Sequence, residues 1–341
     1  GDSTGITNAN SGYYGPDRYK FNEDGTMTAV LSITQETLTS GNAWADGFDR
    51  ALKYDVTTAD ASVAADIYAR IEQRFEKGDL SLFKKGTSNA ETYTLAFWVK
   101  ATVTGTNVVE LQDQVNTRHC CASYTISSTD TWEHKVLNFA ADTSGPLGTG
   151  SGLGMNVNFA LQAGTNYTSG TLATAWASST DANRAVGQVN NFSSTSNNFH
   201  ITGVQLEVGT YTSSDLPPFR HESYGNNLVR CQRYYYLHAS NALSADVGVG
   251  GYYSSSYIFF NITFPCSMRI APSLVYQSGT DYYRIVGIST TDWFNDILGG
   301  GSTTTNEANF YNNSQISGTE GGAGWVRTGN TGASIALNAE L

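Results

Sequence analysis

Apolar side chains recur at every second position through much of this 341-residue chain. In residues 92–100, TYTLAFWVK, Tyr93, Leu95, Phe97 and Val99 alternate with Thr94, Ala96, Trp98 and Lys100. That is the period of a half-buried β-strand. Residues 154–162, GMNVNFALQ, repeat it, with Met155, Val157, Phe159 and Leu161 on one side and Asn156, Asn158, Ala160 and Gln162 on the other. Further strands are predicted over 26–34, 108–112, 123–126, 132–139 and 199–208, the last with a bulge at Gly203. Residues 63–75 fit a helical stripe of Ile67, Ile71 and Phe75 as well as a strand, and are read as a strand leading into a short turn at 77–83. Polar turns separate these segments and no βαβ rhythm appears. The pattern predicts an antiparallel jelly-roll β-sandwich over residues 1–209.

From residue 210 the texture changes. Pro217-Pro218 halts regular structure and stiffens a connector. Residues 222–233 then carry a helical spacing through Leu228, Cys231 and Tyr235, weakened by Gly225. Beyond this linker and short helix (210–233), strands are predicted over 252–264, 273–276, 283–288, 308–311, 325–327 and 334–337. The loop over 299–305 reads as a tip that is mobile or ordered by a partner. The fold class is therefore all-β: a jelly-roll sandwich, a short helical connector, and a smaller antiparallel β domain over 234–341. No repeat of fixed period is present, which disfavours a β-helix or propeller.

Composition narrows the possible functions. Charged residues are 14% of the chain, against about 25% in ordinary domains. Their place is taken by 34 Ser, 40 Thr, 27 Asn and 35 Gly, which suit polar turns between strands. Nineteen scattered cations against 30 carboxylates give a net charge of -11, so no phosphate-neutralising surface for nucleic acid is expected. No apolar run is long enough to insert in a membrane, and the opening GDSTGITNAN does not read as a signal peptide. All seven lysines lie at or before Lys135; later cations are Arg, which suits subunit interfaces.

Candidate chemistry is sparse. Cys120 and Cys121 point to opposite sides of a strand, and no ligand spacing joins them to His119 as a zinc site. With Cys231 and Cys266 they are expected to be buried free thiols, as in a protein matured in a reducing cytoplasm. The contexts of His119, His134, His200, His221 and His238 suggest surface or interface positions. No GxSxG, HExxH or P-loop motif occurs, and no carboxylate pair stands out, so no enzyme, cofactor or metal is expected.

One resemblance is visible. FHITGVQLEVG (199–209), PPFRHESYGNNLVRCQRYYY (217–236), PCSMRIAP (265–272) and the closing NAEL resemble segments of bacteriophage tail-fibre-like, virion-surface proteins. The Cys231-Gln232-Arg233-Tyr234-Tyr235 block is the most specific, while Asn226-Asn227 departs from that family's acidic pair. The resemblance implies a carbohydrate-binding-module-like jelly roll with a small C-terminal β domain. It also implies a non-enzymatic virion protein, located on a fibre or the capsid surface, assembled in the host bacterial cytoplasm and attaching to host-surface glycan. A capsid-decoration protein that reads no receptor is the alternative, followed by a glycan-binding module of a secreted polysaccharide enzyme. A jelly roll resembling the carbohydrate-binding type would imply a structural calcium near Asp17 and Glu207, but these are two carboxylates against the roughly six to eight oxygens calcium needs.

Two sets of residues follow as candidates. If the apolar halves of the strands fill the core, Trp98, Lys100, Asn156, Asn158 and Gln162 share an outer face suited to glycan: a ring to stack on a sugar and amides to pair with its hydroxyls. Tyr252, Tyr253, Tyr257, Tyr282 and Tyr283 form a second exposed aromatic group. Assembly as a homotrimer is expected through Leu228, Val229, Arg230, Arg233, Tyr234, Tyr235 and Tyr236, with other virion proteins as further partners.

Overall fold

The computed structural model describes residues 6–7, 11–16, 18–240, 242–287 and 291–341. They form two compact units, Gly1–His221 with Leu341, and Glu222–Glu340. The division falls inside the predicted linker, so the connector helix belongs to the second unit.

The strands of the first unit, in chain order, are β1 (Ile6–Thr7), β2 (Tyr19–Asp24), β3 (Val30–Thr37), β4 (Arg50–Thr58), β5 (Tyr68–Glu76) and β6 (Tyr93–Ala101), then β7 (Gly105–Asp113), β8 (Arg118–Ile126), β9 (Glu133–Phe139), β10 (Leu153–Ala163), β11 (Ala177–Ser178) and β12 (Asn198–Val208). The front sheet runs β1-β3-β4-β12-β6-β9 and the back sheet β11-β8-β7-β10-β5-β2, with antiparallel pairing throughout. Because the chain keeps crossing between the two sheets, the result is a jelly-roll sandwich. Helical structure is limited to single turns such as α1 (Asn42–Ala45), α2 (Thr165–Thr168) and a 3-10 turn at Gly78–Phe83, where the sequence predicts a turn.

The alternation seen in the sequence fills the space between the sheets. Leu95, Phe97 and Val99 from the front meet Met155, Val157, Phe159 and Leu161 from the back, all completely buried. Phe97 packs edge-on against both Tyr124 and Phe159 of the back sheet, each at 5.1 Å between ring centres. Such geometry adds roughly 0.5–1.5 kcal/mol per ring pair beyond the apolar area removed from water. Of residues 63–75, the part from Tyr68 onward resolves as a strand, β5, while 63–67 form a loop and turn. The strand predicted over 26–34 begins later, at Val30, and both β2 and β4 escape the pattern reading.

The outer face of the back sheet is also covered. The segment over 164–193 folds across it, setting Tyr167 and Ala185 against Tyr68, Val108, Cys121 and Ala160. Cys120 lies in the core between the sheets while Cys121 lies under this cover, as their opposite orientation requires. Cys231 and Cys266 are only half-buried, which corrects the expectation that all four thiols are interior. His119 and His200 are buried rather than at the surface.

The second unit opens with α3 (Tyr224–Gln232), whose Ser223 side chain accepts a bond from the Asn226 amide at 3.3 Å. Its strands are β13 (Tyr235–Ala239), β14 (Asp246–Ser254), β15 (Tyr257–Thr263), β16 (Ser273–Tyr276), β17 (Tyr283–Val286), β18 (Thr291–Phe294), β19 (Leu298–Gly299), β20 (Glu307–Asn312), β21 (Ala323–Thr328) and β22 (Ile335–Asn338). They make a seven-stranded sheet, β18-β17-β21-β14-β15-β20-β19, and a three-stranded sheet, β13-β22-β16, over one apolar core. The single strand expected over 252–264 is a hairpin, because Ser255-Ser256 turns the chain between β14 and β15. Ile288, at the end of another expected strand, lies outside the described residues. The loop over 299–305 is tied to its own unit, with the Gly300 amide on Asn309 and the Thr304 amide on Glu307 at 2.7 and 2.9 Å.

Candidate functional site

The five expected glycan contacts do not come together. Trp98 and Lys100 stand on the outer face of the front sheet, whereas Asn156, Asn158 and Gln162 belong to β10 of the back sheet. Each set points away from the core, but on opposite sides of the sandwich. Parity along a strand fixes inside against outside and carries no information about which sheet the strand joins.

On the front face Trp98 is half-buried, donates from Nε1 to Asp46 at 3.1 Å and lies 5.0 Å from the His134 ring. It packs on a satellite cluster of Leu38, Ala43, Phe48, Ala51 and Trp132. Lys100 reaches Glu36 at 3.5 Å and sits 5.3 Å from the Trp132 ring. Glu36 also holds His200 Nδ1 at 2.5 Å. Burial, then the nearby Lys100, pulls His200 down to about 4 against the opposing pull of Glu36.

Asn156, Asn158 and Gln162 are buried beneath the cover of the back sheet and cannot meet a sugar. Asn158 donates to Glu110 at 2.9 Å and to Gln112 at 3.1 Å, and Gln162 donates to the Asp60 carbonyl at 3.2 Å. Glu110 is the centre of this layer. Arg184 grips both its oxygens at 2.9 Å, and His119 Nδ1 sits 3.0 Å away. Burial alone would raise the Glu110 carboxyl, yet Arg184 and these hydrogen bonds hold it at about 2. Glu110, His119 and Cys121 present ligand atoms within 4.8 Å of one another. They do not suit a metal ion: the carboxylate is already neutralised by Arg184, and burial pushes the Cys121 thiol far from ionisation.

Sequence reasoning missed a cavity of about 260 Å³ at one end of the front sheet. Its wall combines Tyr14 and Tyr19, Thr34 and Gln35 of β3, Arg50 of β4 and Thr202 of β12. The predicted bulge builds it. Pairing with β6 shifts between Thr202 and Gln205, where Gly203 adopts a φ of +58° and a Cβ would stand 2.7 Å from the Phe48 ring. The Thr202 hydroxyl donates to the Arg50 carbonyl at 2.7 Å, fixing the backbone at the first residue of β4. Aromatic rings, hydroxyls, an amide and one guanidinium around a concave space can stack on and hydrogen-bond a small polyol. Asp17, weighed as a calcium ligand, adjoins this segment but lies outside the described residues. Glu207 instead accepts from Gln205 at 2.9 Å.

In the second unit the expected interface residues are spread. Leu228, Val229 and Tyr235 are exposed, and Arg230 pairs with Glu222 at 2.9 Å. Tyr236 is half-buried and touches His238, while the Arg233 carbonyl accepts from the Arg269 amide at 2.8 Å. Tyr234, however, is a core residue with its carbonyl bonded to the Ala339 amide, which removes it from any interface. The tyrosine group is likewise split. Tyr252 and Tyr283 are buried, Tyr257 and Tyr282 are half-buried, and Tyr253 is exposed.

A larger aromatic surface covers the outer face of the seven-stranded sheet. Trp325 and Val249 face each other across β21 and β14, as do Phe259 and Tyr311 across β15 and β20. Tyr257 stacks on Tyr311 at 5.3 Å, and Tyr253 and Trp325 are 71% and 57% exposed. Arg284 and Arg327 lie over the Trp293 and Trp325 rings at 4.9 and 4.8 Å.

No protein-family model matches the chain, and neither does any curated protein. Solved structures give distant likenesses. The enzymatically active domain of tailspike protein 4 of bacteriophage CBA120 aligns at 13% identity and a TM-score of 0.29, over 56% of this chain and 19% of that one. A carbohydrate-binding module of the CBM4 type aligns at 10% identity and a TM-score of 0.28, over 60% of this chain and 94% of its own. The tandem CBM22 domain of Paenibacillus barcinonensis Xyn10C aligns at 8% identity and a TM-score of 0.27, over 91% and 92%. The chain thus spans about a fifth of the tailspike structure. Its own fold rests on the strand pairing described above.

Proposed function

We propose that this chain is a non-enzymatic component of a bacteriophage fibre or virion surface that attaches to host glycan through its jelly roll. The observation that carries the glycan reading is the end cavity, where Tyr14, Gln35, Thr34 and Thr202 bring rings, an amide and hydroxyls around one concave space. The sequence resemblance over 199–236 supports the virion assignment. Attachment would be multivalent: weak contacts repeated across a homotrimer gain avidity without new contacts at any single site.

A glycan array probed with the purified protein tests this reading. Binding by the wild type that is lost in Tyr14→Ala and weakened in Gln35→Ala is the expected result. Retention of all binding in Tyr14→Ala, or no glycan bound at all, would overturn it. The alternative, a decoration protein that grips other virion subunits and reads no receptor, is favoured by the exposed aromatic sheet of the second unit. Aromatic residues and Arg, with few acids and no Lys, are what the centres of protein interfaces select. Labelling the protein in assembled particles separates fibre from capsid wall.

A further inference from the structure

We propose that Arg50 makes the end cavity selective for a sugar bearing a carboxylate, such as a uronic or nonulosonic acid; this rests on the glycan reading of the same cavity. Among the described residues, the lining is neutral except at this one. Among the described residues, Tyr14, Tyr19, Thr34, Gln35 and Thr202 supply rings, hydroxyls and an amide, and no carboxylate lines the space. Of these described residues, Arg50 alone brings charge.

Its backbone is held from two sides, by the Thr202 hydroxyl at 2.7 Å and by pairing with Thr37 in β3. The guanidinium is largely uncommitted. Nη1 donates to the Asp49 carbonyl oxygen at 2.9 Å. Its ion pair with the Asp49 carboxylate is long, at 3.7 Å, and solvent-screened, because that carboxylate is 78% exposed. Glu36, one residue beyond Gln35, is occupied with His200 and Lys100. The planar fork therefore retains donors for a ligand, and a carboxylate is the group that accepts two of them at once.

Size agrees with a small sugar. At about 260 Å³ the cavity falls just below the range of about 300–1,000 Å³ that holds drug-sized ligands, which suits one ring better than a long oligosaccharide. Net charge opposes anions at long range, because the chain carries -11. Selectivity for an acid must then come from a local contact, and Arg50 is the cation placed to make it.

The probes are the methyl glycosides of glucuronic and galacturonic acid with N-acetylneuraminic acid, set against methyl glucoside and methyl galactoside, read by saturation-transfer NMR and titration at neutral pH. At least one acid should bind about tenfold more tightly than the neutral sugars, the scale of one charge-assisted hydrogen-bond pair. Arg50→Gln should erase that preference and Tyr14→Ala should remove binding of acid and neutral sugar alike. Circular dichroism of each variant controls for folding. Equal binding of acids and neutral sugars, or a preference that survives Arg50→Gln, overturns this inference while leaving the glycan reading intact. If no sugar binds, or Tyr14→Ala binds as the wild type does, the cavity is not a sugar site and both readings fall.

Discussion

At the residue scale the strongest constraint is the buried pairing of Glu110 with Arg184. Removing one partner leaves the other charge without compensation, so Glu110→Gln should cost about 3–5 kcal/mol in urea unfolding. The pH dependence has a definite sign. The Glu110 carboxyl is lowered from 4.5 to about 2 in the fold, so its stabilisation is complete above about 4.5 and drains away as pH falls towards 2. Urea midpoints measured between pH 5 and 2 should fall in the wild type and fall less steeply in Glu110→Gln. None of this was legible beforehand. Glu110 and Arg184 lie 74 positions apart, and only the cover folding over the back sheet brings them together.

At the scale of elements, alternation located most strands, and it failed where charge or turn chemistry intervened. β4 carries the inward triplet Leu52, Tyr54 and Val56, but Arg50 before them and Lys53 and Asp55 between them make the segment read as polar surface. The β14–β15 hairpin was merged because Tyr252, Tyr253 and Tyr257 continue an aromatic run across its turn. The β12 bulge was legible from one glycine. Gly203→Val should destabilise the first unit by about 1–3 kcal/mol, since a β-branched residue resists a left-handed backbone and meets Phe48. Differential scanning calorimetry measures the loss, and an unchanged midpoint would contradict the role given to the bulge. The candidate glycan face failed for a different reason: sheet membership depends on long-range pairing, which the two-residue period does not encode.

At the scale of the whole molecule, the exposed rings of the seven-stranded sheet form a contiguous aromatic surface of the kind that marks an interaction site. The proposed homotrimer would close instead through the exposed Leu228, Val229 and Tyr235; light scattering should report a trimer, and Leu228→Glu with Val229→Glu should dissociate it with its circular dichroism intact. A monomeric wild type at micromolar concentration contradicts this. The adjacent thiols of β8 offer a separate view of the chain's motions. Cys120 can react only when the two sheets part, and Cys121 only when the 164–193 segment lifts, because each is sealed by a different layer. With Cys231 and Cys266 replaced by Ser, the pace of alkylation at each position becomes a clock for one opening event. Cys121 should be modified first, in step with a partial breathing of the cover, and Cys120 should follow at the slower tempo of global unfolding. Two neighbouring residues would thereby time the loosening of the lid separately from the collapse of the sandwich.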